Sequence, residues 1–293
     1  MSYLISAETL AARLDDPKLR IVDATLRFTR GTHASKARAD NYAAYAQCHI
    51  TGAVFVDVER DIADPQSGLR FMLPSAAQFA ETMARLGIGD DTQVVVYSAT
   101  DMLWATRFWW VLRAFGVQNV AVLDGGLPHW IRQGLPITDI VPNITPAHFT
   151  ARAADVQQIA TKESISALLP HLGTAAVLVD TLSADHYRGT PKISYGYPRP
   201  GHIAGAINVP SSQFVDAETG CMLPPADIAA RYDAALGAED KPAIFYCGAG
   251  IAASLGAFAA AVAGRTQIQL YDASLQEWAA DPALPMATGD APA

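Results

Sequence analysis

Apolar residues fall into two recurring patterns along this chain. Short runs that are apolar at nearly every position alternate with longer stretches in which apolar residues recur every three or four positions. The first pattern predicts buried strands and the second predicts helices. Ser6-Ala-Glu8-Thr-Leu10-Ala-Ala-Arg-Leu14 opens with a helix-capping signature, and after a turn at Pro17 a strand runs from Leu19 through Asp23 to Thr25. His49-Ile-Thr-Gly52-Ala-Val-Phe-Val-Asp57 reads as a turn into a strand, Ala76 to Leu86 as a helix, and Gln93 to Tyr97 as a buried strand. A helix over Trp104 to Phe115, a strand over Val117 to Leu123, and the turn Asp124-Gly-Gly-Leu-Pro-His-Trp130 leading into a short helix complete the first half.

From about Ile137 to Gln158 the pattern dissolves around Pro142, Asn143 and Pro146, as in a linker. The first half is then replayed. Val179-Asp180-Thr echoes Val22-Asp23-Ala, His202-Ile-Ala-Gly205-Ala echoes His49-Ile-Thr-Gly52-Ala, Ile244-Phe-Tyr246 echoes Val95-Val96-Tyr97, and Asp272-Ala-Ser-Leu-Gln-Glu-Trp278 echoes Asp124 to Trp130. The offset drifts only from 157 residues at the first landmark to 148 at the last. Four landmarks in step imply a duplicated α/β domain. Strands apolar on both faces imply mainly parallel sheets flanked by helices. The expected division is a first domain over 1–140, a linker over 141–160, a second domain over 161–285 and a flexible tail over 286–293.

Composition narrows the function. The 293 residues carry a net charge of -8, which disfavours a nucleic-acid partner or an anionic membrane surface. No run of 18 apolar residues occurs, and the first residues lack a charged then apolar leader, so no membrane partner and a cytoplasmic location are expected. Cys48, Cys221 and Cys247 are odd in number and widely spaced, which fits neither a disulfide framework nor a metal site. No metal and no cofactor are expected.

Candidate chemistry concentrates where the predicted strand Ala243-Ile-Phe-Tyr246 runs into Cys247-Gly-Ala-Gly-Ile-Ala-Ala-Ser254. This places a thiol at a strand end over a helix N-terminus, where unpaired amides and the helix dipole stabilise an anion. Amides of Gly248, Ala249, Gly250, Ile251 and Ala252 are candidates for that cradle. A buried structural cysteine is the plain alternative. Gly248 and Gly250 weigh toward a nucleophile, because they let a loop curl with its amides inward. The repeat weighs the same way: Ser98 stands opposite Cys247, and Ala99-Thr100-Asp101 stands opposite the glycine loop. The stretch Gly248-Ala-Gly250-Ile-Ala-Ala253 also fits a dinucleotide fingerprint, but it comes late in its domain and its counterpart keeps no glycine. A cysteine phosphatase would need an arginine closing the loop, where Ala252, Ala253 and Ser254 stand. Trp104, Trp109, Trp110 and Trp130 read as packing residues.

On the paired His-Ile-x-Gly-Ala turns, the Leu123-Asp-Gly-Gly-Leu and Asp272-Ala-Ser-x-x-Glu-Trp stretches, and a six-residue loop starting at a cysteine in the second copy only, the chain resembles the tandem rhodanese-domain sulfurtransferases over essentially its whole length. That resemblance implies two rhodanese-like domains, the first catalytically inactive. It implies a ping-pong reaction in which Cys247 takes a sulfane sulfur from a small-molecule donor, holds it as a persulfide, and passes it to cyanide or to a thiol such as thioredoxin, glutathione or a small thiol. The uncharged loop is similar to the 3-mercaptopyruvate type, whereas thiosulfate users carry basic residues just after the cysteine. A persulfide carrier or regulatory binding module is the non-enzymatic alternative. The family's loop serine is Ala249 here, and Ile251 replaces valine. In the mercaptopyruvate enzymes that serine is grouped with a histidine and an aspartate of the first domain, matched here by His49 and loosely by Asp40; a turn histidine bonded to backbone is the competing reading of His49. The segment Asp185-His186-Tyr187-Arg188-Gly189-Thr190 to Arg199-Pro-Gly-His202 resembles the family's substrate-binding stretch, with His186 where the family has an arginine. Arg188 and Arg199 are the candidate carboxylate ligands. The stretch Arg27 to Arg38, with Arg30, His33 and Lys36, is a weaker source of positive charge.

Overall fold

The computed structural model describes residues 2–27, 34–190 and 197–290, and of residues 34–39 the backbone alone. The chain divides into two compact units. The first comprises residues 1–65, 73–154 and 217–221, and the second 66–72, 155–216 and 222–293.

The first unit runs β1 (Leu4–Ile5), α1 (Ala7–Ala11), β2 (Leu19–Asp23), α2 (Ala34–Gln47), β3 (His49–Ile50), β4 (Val54–Phe55), α3 (Ala76–Arg85), β5 (Gln93–Tyr97), α4 (Met102–Ala114), β6 (Val120–Leu123), α5 (Gly126–Arg132) and β7 (Ile137–Thr138). Five of its strands form a parallel sheet in the order β1-β6-β5-β2-β4, and β3 pairs antiparallel with β7. The helices start where side chains satisfy their first amides: Ser6 Oγ accepts from Thr9 N, Ser75 Oγ from Gln78 N, and Asp101 Oδ1 from Leu103 N. Every residue of β5 is buried, as the apolar run from Val94 to Tyr97 requires of a strand covered on both faces.

The second unit repeats the plan: β8 (Ile159–Ala160), α6 (Lys162–Leu168), β9 (Val177–Asp180), α7 (Ala184–Tyr187), β10 (His202–Ile203), β11 (Ile207–Asn208), α8 (Pro225–Leu236), β12 (Ala243–Tyr246), α9 (Ile251–Val262), β13 (Ile268–Tyr271), α10 (Ser274–Trp278) and β14 (Met286–Ala287). Its parallel sheet has the order β11-β9-β12-β13-β8, the first unit's order strand for strand when read from the other edge, and β10 pairs antiparallel with β14. The central strand β12 is fully buried.

The duplication reaches individual contacts. His49 and His202 each place Nδ1 on a backbone carbonyl, that of Tyr45 at 2.8 Å and that of Tyr187 at 2.7 Å, and each ring stacks on the same tyrosine. The Tyr97 hydroxyl accepts from Ile50 N as the Tyr246 hydroxyl accepts from Ile203 N. Trp130 and Trp278, both fully buried, donate through Nε1 to the carbonyls of Pro136 and Pro285.

Three sequence expectations change. Ile137 and Thr138 are paired into β7, and Ile159 and Ala160 are β8, so both ends of the expected linker are strand. These strands are two residues long, too short to show a period. Met286 and Ala287, expected to begin a tail, form β14 against β10, and Gly289 N donates to Arg188 O. The stretch expected as a basic loop is helical from Ala34 onward; Arg30 and His33, and the side chains of Lys36 and Arg38, lie outside the described residues.

Candidate active site

The site is built where β12 ends. Sheet pairing continues past Tyr246 as a clamp from α10: Leu275 N donates to Cys247 O at 3.1 Å, and Gln276 N donates to Gly248 O at 3.0 Å. Cys247 N donates to Ser274 Oγ at 3.1 Å, and Ser274 Oγ donates in turn to Tyr271 O at 2.8 Å. With the carbonyls of Cys247 and Gly248 turned toward α10, the amides that follow turn toward the sulfur. Those of Ala249, Ala252 and Ala253 bond the Cys247 thiol. Ala252 and Ala253 stand in the first turn of α9, where amides have no intrahelical partner. Gly250, at φ 78°, makes the left-handed step that lets the loop enter this 12-residue helix.

Cys247 is 2% exposed. Burial pushes its thiol above the usual range, the negative charge of Asp180 adds to that push, and the three amides pull against it. In this closed loop, desolvation of the buried sulfur outweighs the amides. Asp180 is itself fully buried at the end of β9, in register with Tyr246. Its carboxyl is pushed up to about 7 by burial, while the amide of Leu182, at 2.8 Å from Oδ1, and the Tyr246 hydroxyl pull the other way.

The same place in the first unit is chemically different. Ser98 replaces the thiol, and its Oγ accepts from Thr100 N at 3.2 Å. Asp101 caps the N-terminus of α4, its Oδ1 accepting from Leu103 N at 3.0 Å. The backbone clamp is retained: Leu127 N donates to Ser98 O at 3.0 Å, as Leu275 N does to Cys247 O.

The remaining candidates are placed as follows. His49 is fully buried, with Nε2 3.2 Å from Ile140 O in addition to its bond at Nδ1, so both ring nitrogens face carbonyls of its own unit. Asp40 is exposed on α2. His186, half-buried on α7, holds Ser183 Oγ at 2.7 Å through Nδ1. Arg188, exposed, pairs with Asp290 through Nε and with Asp185 at 3.2 Å through Nη1. Arg199 differs from the expectation of a carboxylate ligand. Its guanidinium donates to four backbone carbonyls, those of Trp278, Ala279, Asp281 and Leu284, at 2.6 to 2.9 Å. Four of the five N–H donors are thus committed to the turn that follows α10.

Sequence reasoning missed four residues at or near the loop. Ser274 sits at φ 53°, in the left-handed region, where the first copy has Gly126 at φ 56°. A serine opposite a glycine in the repeat was the available signal. Arg70 and Phe71 belong to the 66–72 segment: Arg70 exchanges two backbone to side-chain bonds with Gln276, at 3.0 and 2.9 Å, and Phe71 holds φ 62°. Tyr197 lies over Gly248, so that a Cβ built there would come within 2.4 Å of its Oη. Neither of the last two contacts has a sequence signal, since both join distant residues.

Comparison with known proteins agrees with this geometry. The Rhodanese-like domain family matches the chain twice, over residues 6–133 and 164–281. A human protein named 3-mercaptopyruvate sulfurtransferase is 34% identical over 94% of this chain and 91% of its own length. A bovine thiosulfate sulfurtransferase is also 34% identical, over 93% of this chain and 89% of its own. Among solved structures, SseA from Escherichia coli, described with the 3-mercaptopyruvate sulfotransferases, superimposes with a TM-score of 0.79 at 30% identity, covering 94% of this chain and 99% of that one. No helix among the described residues is long and apolar enough to cross a membrane.

Proposed function

The chain belongs to the rhodanese family and is a sulfurtransferase, and from that premise we propose that it moves a sulfur atom from 3-mercaptopyruvate, as the sulfane sulfur of a persulfide on Cys247, to a thiol or cyanide acceptor. The observation that carries this reading is the loop itself: a cysteine sulfur bonded by three backbone amides, in a stretch from Gly248 to Ala253 that has no charged side chain. The thiolate attacks the donor's sulfur, the donor's C–S bond breaks with the electron pair and the thiol proton going to the carbon that leaves as pyruvate, and the new persulfide anion is held by the amides that held the thiolate. Backbone donors cost no reorganisation as charge moves onto the outer sulfur. The second half-reaction returns the sulfur to an acceptor such as thioredoxin, glutathione, a small thiol or cyanide, so the kinetics are ping-pong.

Within this reading the first unit is a scaffold, with Ser98 in the place of the thiol. His186 and Arg188, at the end of α7, are the proposed contacts for the donor's carboxylate, while Arg199 braces the turn after α10. His49 holds the turn at β3 as His202 holds that at β10, and the reading assigns it no proton-transfer step. Asp40, exposed on α2, is likewise given none. A cytoplasmic setting fits three free cysteines.

Thiosulfate is the rival donor, because relatives of both names match equally well. A dianion calls for cations beside the thiol, and the loop supplies none. Steady-state kinetics with both donors on one preparation, following pyruvate release, tests the assignment. A higher kcat/KM for 3-mercaptopyruvate is expected, and a tenfold or greater preference for thiosulfate overturns it.

A further inference from the structure

A carboxyl group is buried one strand away from the nucleophile. Asp180 ends β9 in register with Tyr246, the residue before Cys247, and is fully buried. Its Oδ1 accepts from Leu182 N at 2.8 Å, whereas Oδ2 is buried with no hydrogen-bond partner among the described residues. Polar side chains beside it are used elsewhere. Asn208 Nδ2 donates to the backbone carbonyls of Asp180 and Leu182, at 3.1 and 2.9 Å, and Thr181 Oγ1 donates to Tyr246 O at 2.9 Å. The repeat shows what has changed. In the first unit the matching Asp23 is bonded at Oδ1 by both the amide and the hydroxyl of Thr25, and the residue at that place in the second unit is Leu182. The copy that carries the thiol therefore lacks the hydroxyl that would stabilise a charged carboxylate. The titratable groups around Asp180 are the Cys247 thiol and the phenols of Tyr246 on β12 and Tyr187 on α7, the last stacked on the His202 ring of β10. Among the described residues Asp180 forms no ion pair, so no cation offsets its charge.

We infer that Asp180 is a specificity-determining residue, whose buried carboxylate turns dianionic sulfur donors away from Cys247 in favour of monoanionic ones. It acts through its charge, not by contact with the donor. That charge already reaches the Cys247 sulfur, where it opposes the thiolate, and a donor sulfur brought to the same atom enters the same field. Thiosulfate carries two negative charges, and 3-mercaptopyruvate with its thiol protonated carries one, so a buried like charge costs the first donor more. Salt screens such a buried interaction little. The carboxyl gains its charge as pH rises through about 7, so discrimination strengthens over that range. The inference rests on the reading of Cys247 as the sulfur acceptor and gives the preference for 3-mercaptopyruvate a second cause, beside the lack of cations in the loop.

The test uses two donors that react alike and differ by one charge, thiosulfate and the monoanion methanethiosulfonate, with cyanide as acceptor. In both, the Cys247 thiolate attacks the outer sulfur and a new S–S bond forms. The donor's own S–S bond breaks, and its electron pair leaves on sulfite or on methanesulfinate, so no further reactant is needed. The ratio of kcat/KM for thiosulfate to that for methanethiosulfonate cancels the ionisation of Cys247, which both reactions share. In the wild-type full chain this ratio is expected to fall by about tenfold between about pH 5.5 and 8.5, the equivalent of one pKa unit of interaction. In Asp180→Asn it is expected to stay flat. Leu182→Thr restores the hydroxyl that Thr25 supplies in the first unit and should move the fall to lower pH. Thermal melting registers folding, and if Asp180→Asn is unfolded the wild-type and Leu182→Thr curves decide. A wild-type ratio constant within about twofold, or a fall of full size in folded Asp180→Asn, overturns the inference. So does thiosulfate use that neither acid pH nor Asp180→Asn raises, or a failure to use methanethiosulfonate at any pH. Neither donor is 3-mercaptopyruvate, so the parent reading fails separately, through a wild-type enzyme that releases no pyruvate from it.

Discussion

The chemistry of this chain turns on how a few buried groups set the charge of one sulfur. Cys247 is pushed toward its neutral form by burial and by Asp180, and toward the thiolate by three amides. Replacing Asp180 by Asn removes one of the two opposing pushes. In Asp180→Asn the rising limb of kcat/KM against pH is therefore expected at lower pH than in wild type, and an unmoved limb contradicts the coupling. The same carboxyl affects stability. Its folded value of about 7 lies above an unfolded value of 3.8, so the native state holds the proton more tightly, and the stability this confers is complete below 3.8 and lost as pH rises to about 7. The full span is roughly 4 kcal/mol. The stability of Asp180→Asn relative to wild type should accordingly grow between pH 4 and 7 in urea titrations; a difference constant with pH contradicts the assignment. Ser274 is a second such residue. Its φ of 53° costs about 1–3 kcal/mol, retained because its hydroxyl holds the Cys247 amide. Ser274→Gly should be more stable than Ser274→Ala by about 1 kcal/mol, while both lower activity; equal stabilities would show that the backbone is not strained.

At the scale of elements, apolar periodicity located the long pieces and missed the short ones. The strand over Gln93 to Tyr97 and the helix over Ala76 to Arg85 were legible because their apolar positions fix burial directly. The two-residue strands β7, β8 and β14 have no period, and their pairing depends on partners far along the chain. The Cys247 loop was legible as a thiol at a strand end over a helix start, since glycine spacing and the repeat are both local facts of sequence. Its amide set was only partly legible: Ala253 joins through the geometry of the first turn of α9. Arg199, a residue type suited to carboxylates, gives four of its N–H donors to backbone carbonyls, a use that no local feature of the sequence marks. Arg199→Lys, which offers three donors from one atom, should destabilise the second unit by about 2 kcal/mol in chemical denaturation while leaving the KM for 3-mercaptopyruvate within twofold. A large rise in KM with unchanged stability would return Arg199 to the donor site.

For the whole molecule, duplication explains why half of the chain carries chemistry and the other half the same plan without it. The two sheets share strand order, the two histidine turns and the two buried tryptophans, and they part at Ser98 against Cys247. Neither unit is a simple half of the sequence, since the second includes residues 66–72. Residues 155–293 produced alone lack Arg70, and with it both bonds to the side chain of Gln276, whose amide holds Gly248 O. That fragment is expected to melt below the corresponding transition of the full chain and to transfer sulfur more slowly. The central claim, that Cys247 carries the sulfur, is tested most directly by incubating the full chain with 3-mercaptopyruvate without acceptor and measuring intact mass, site of modification and pyruvate together. The account predicts one sulfur atom gained per chain, on Cys247, with one pyruvate released, and neither in Cys247→Ser. Sulfur found on Cys48 or Cys221 instead, or pyruvate released at the wild-type rate by Cys247→Ser, would contradict it.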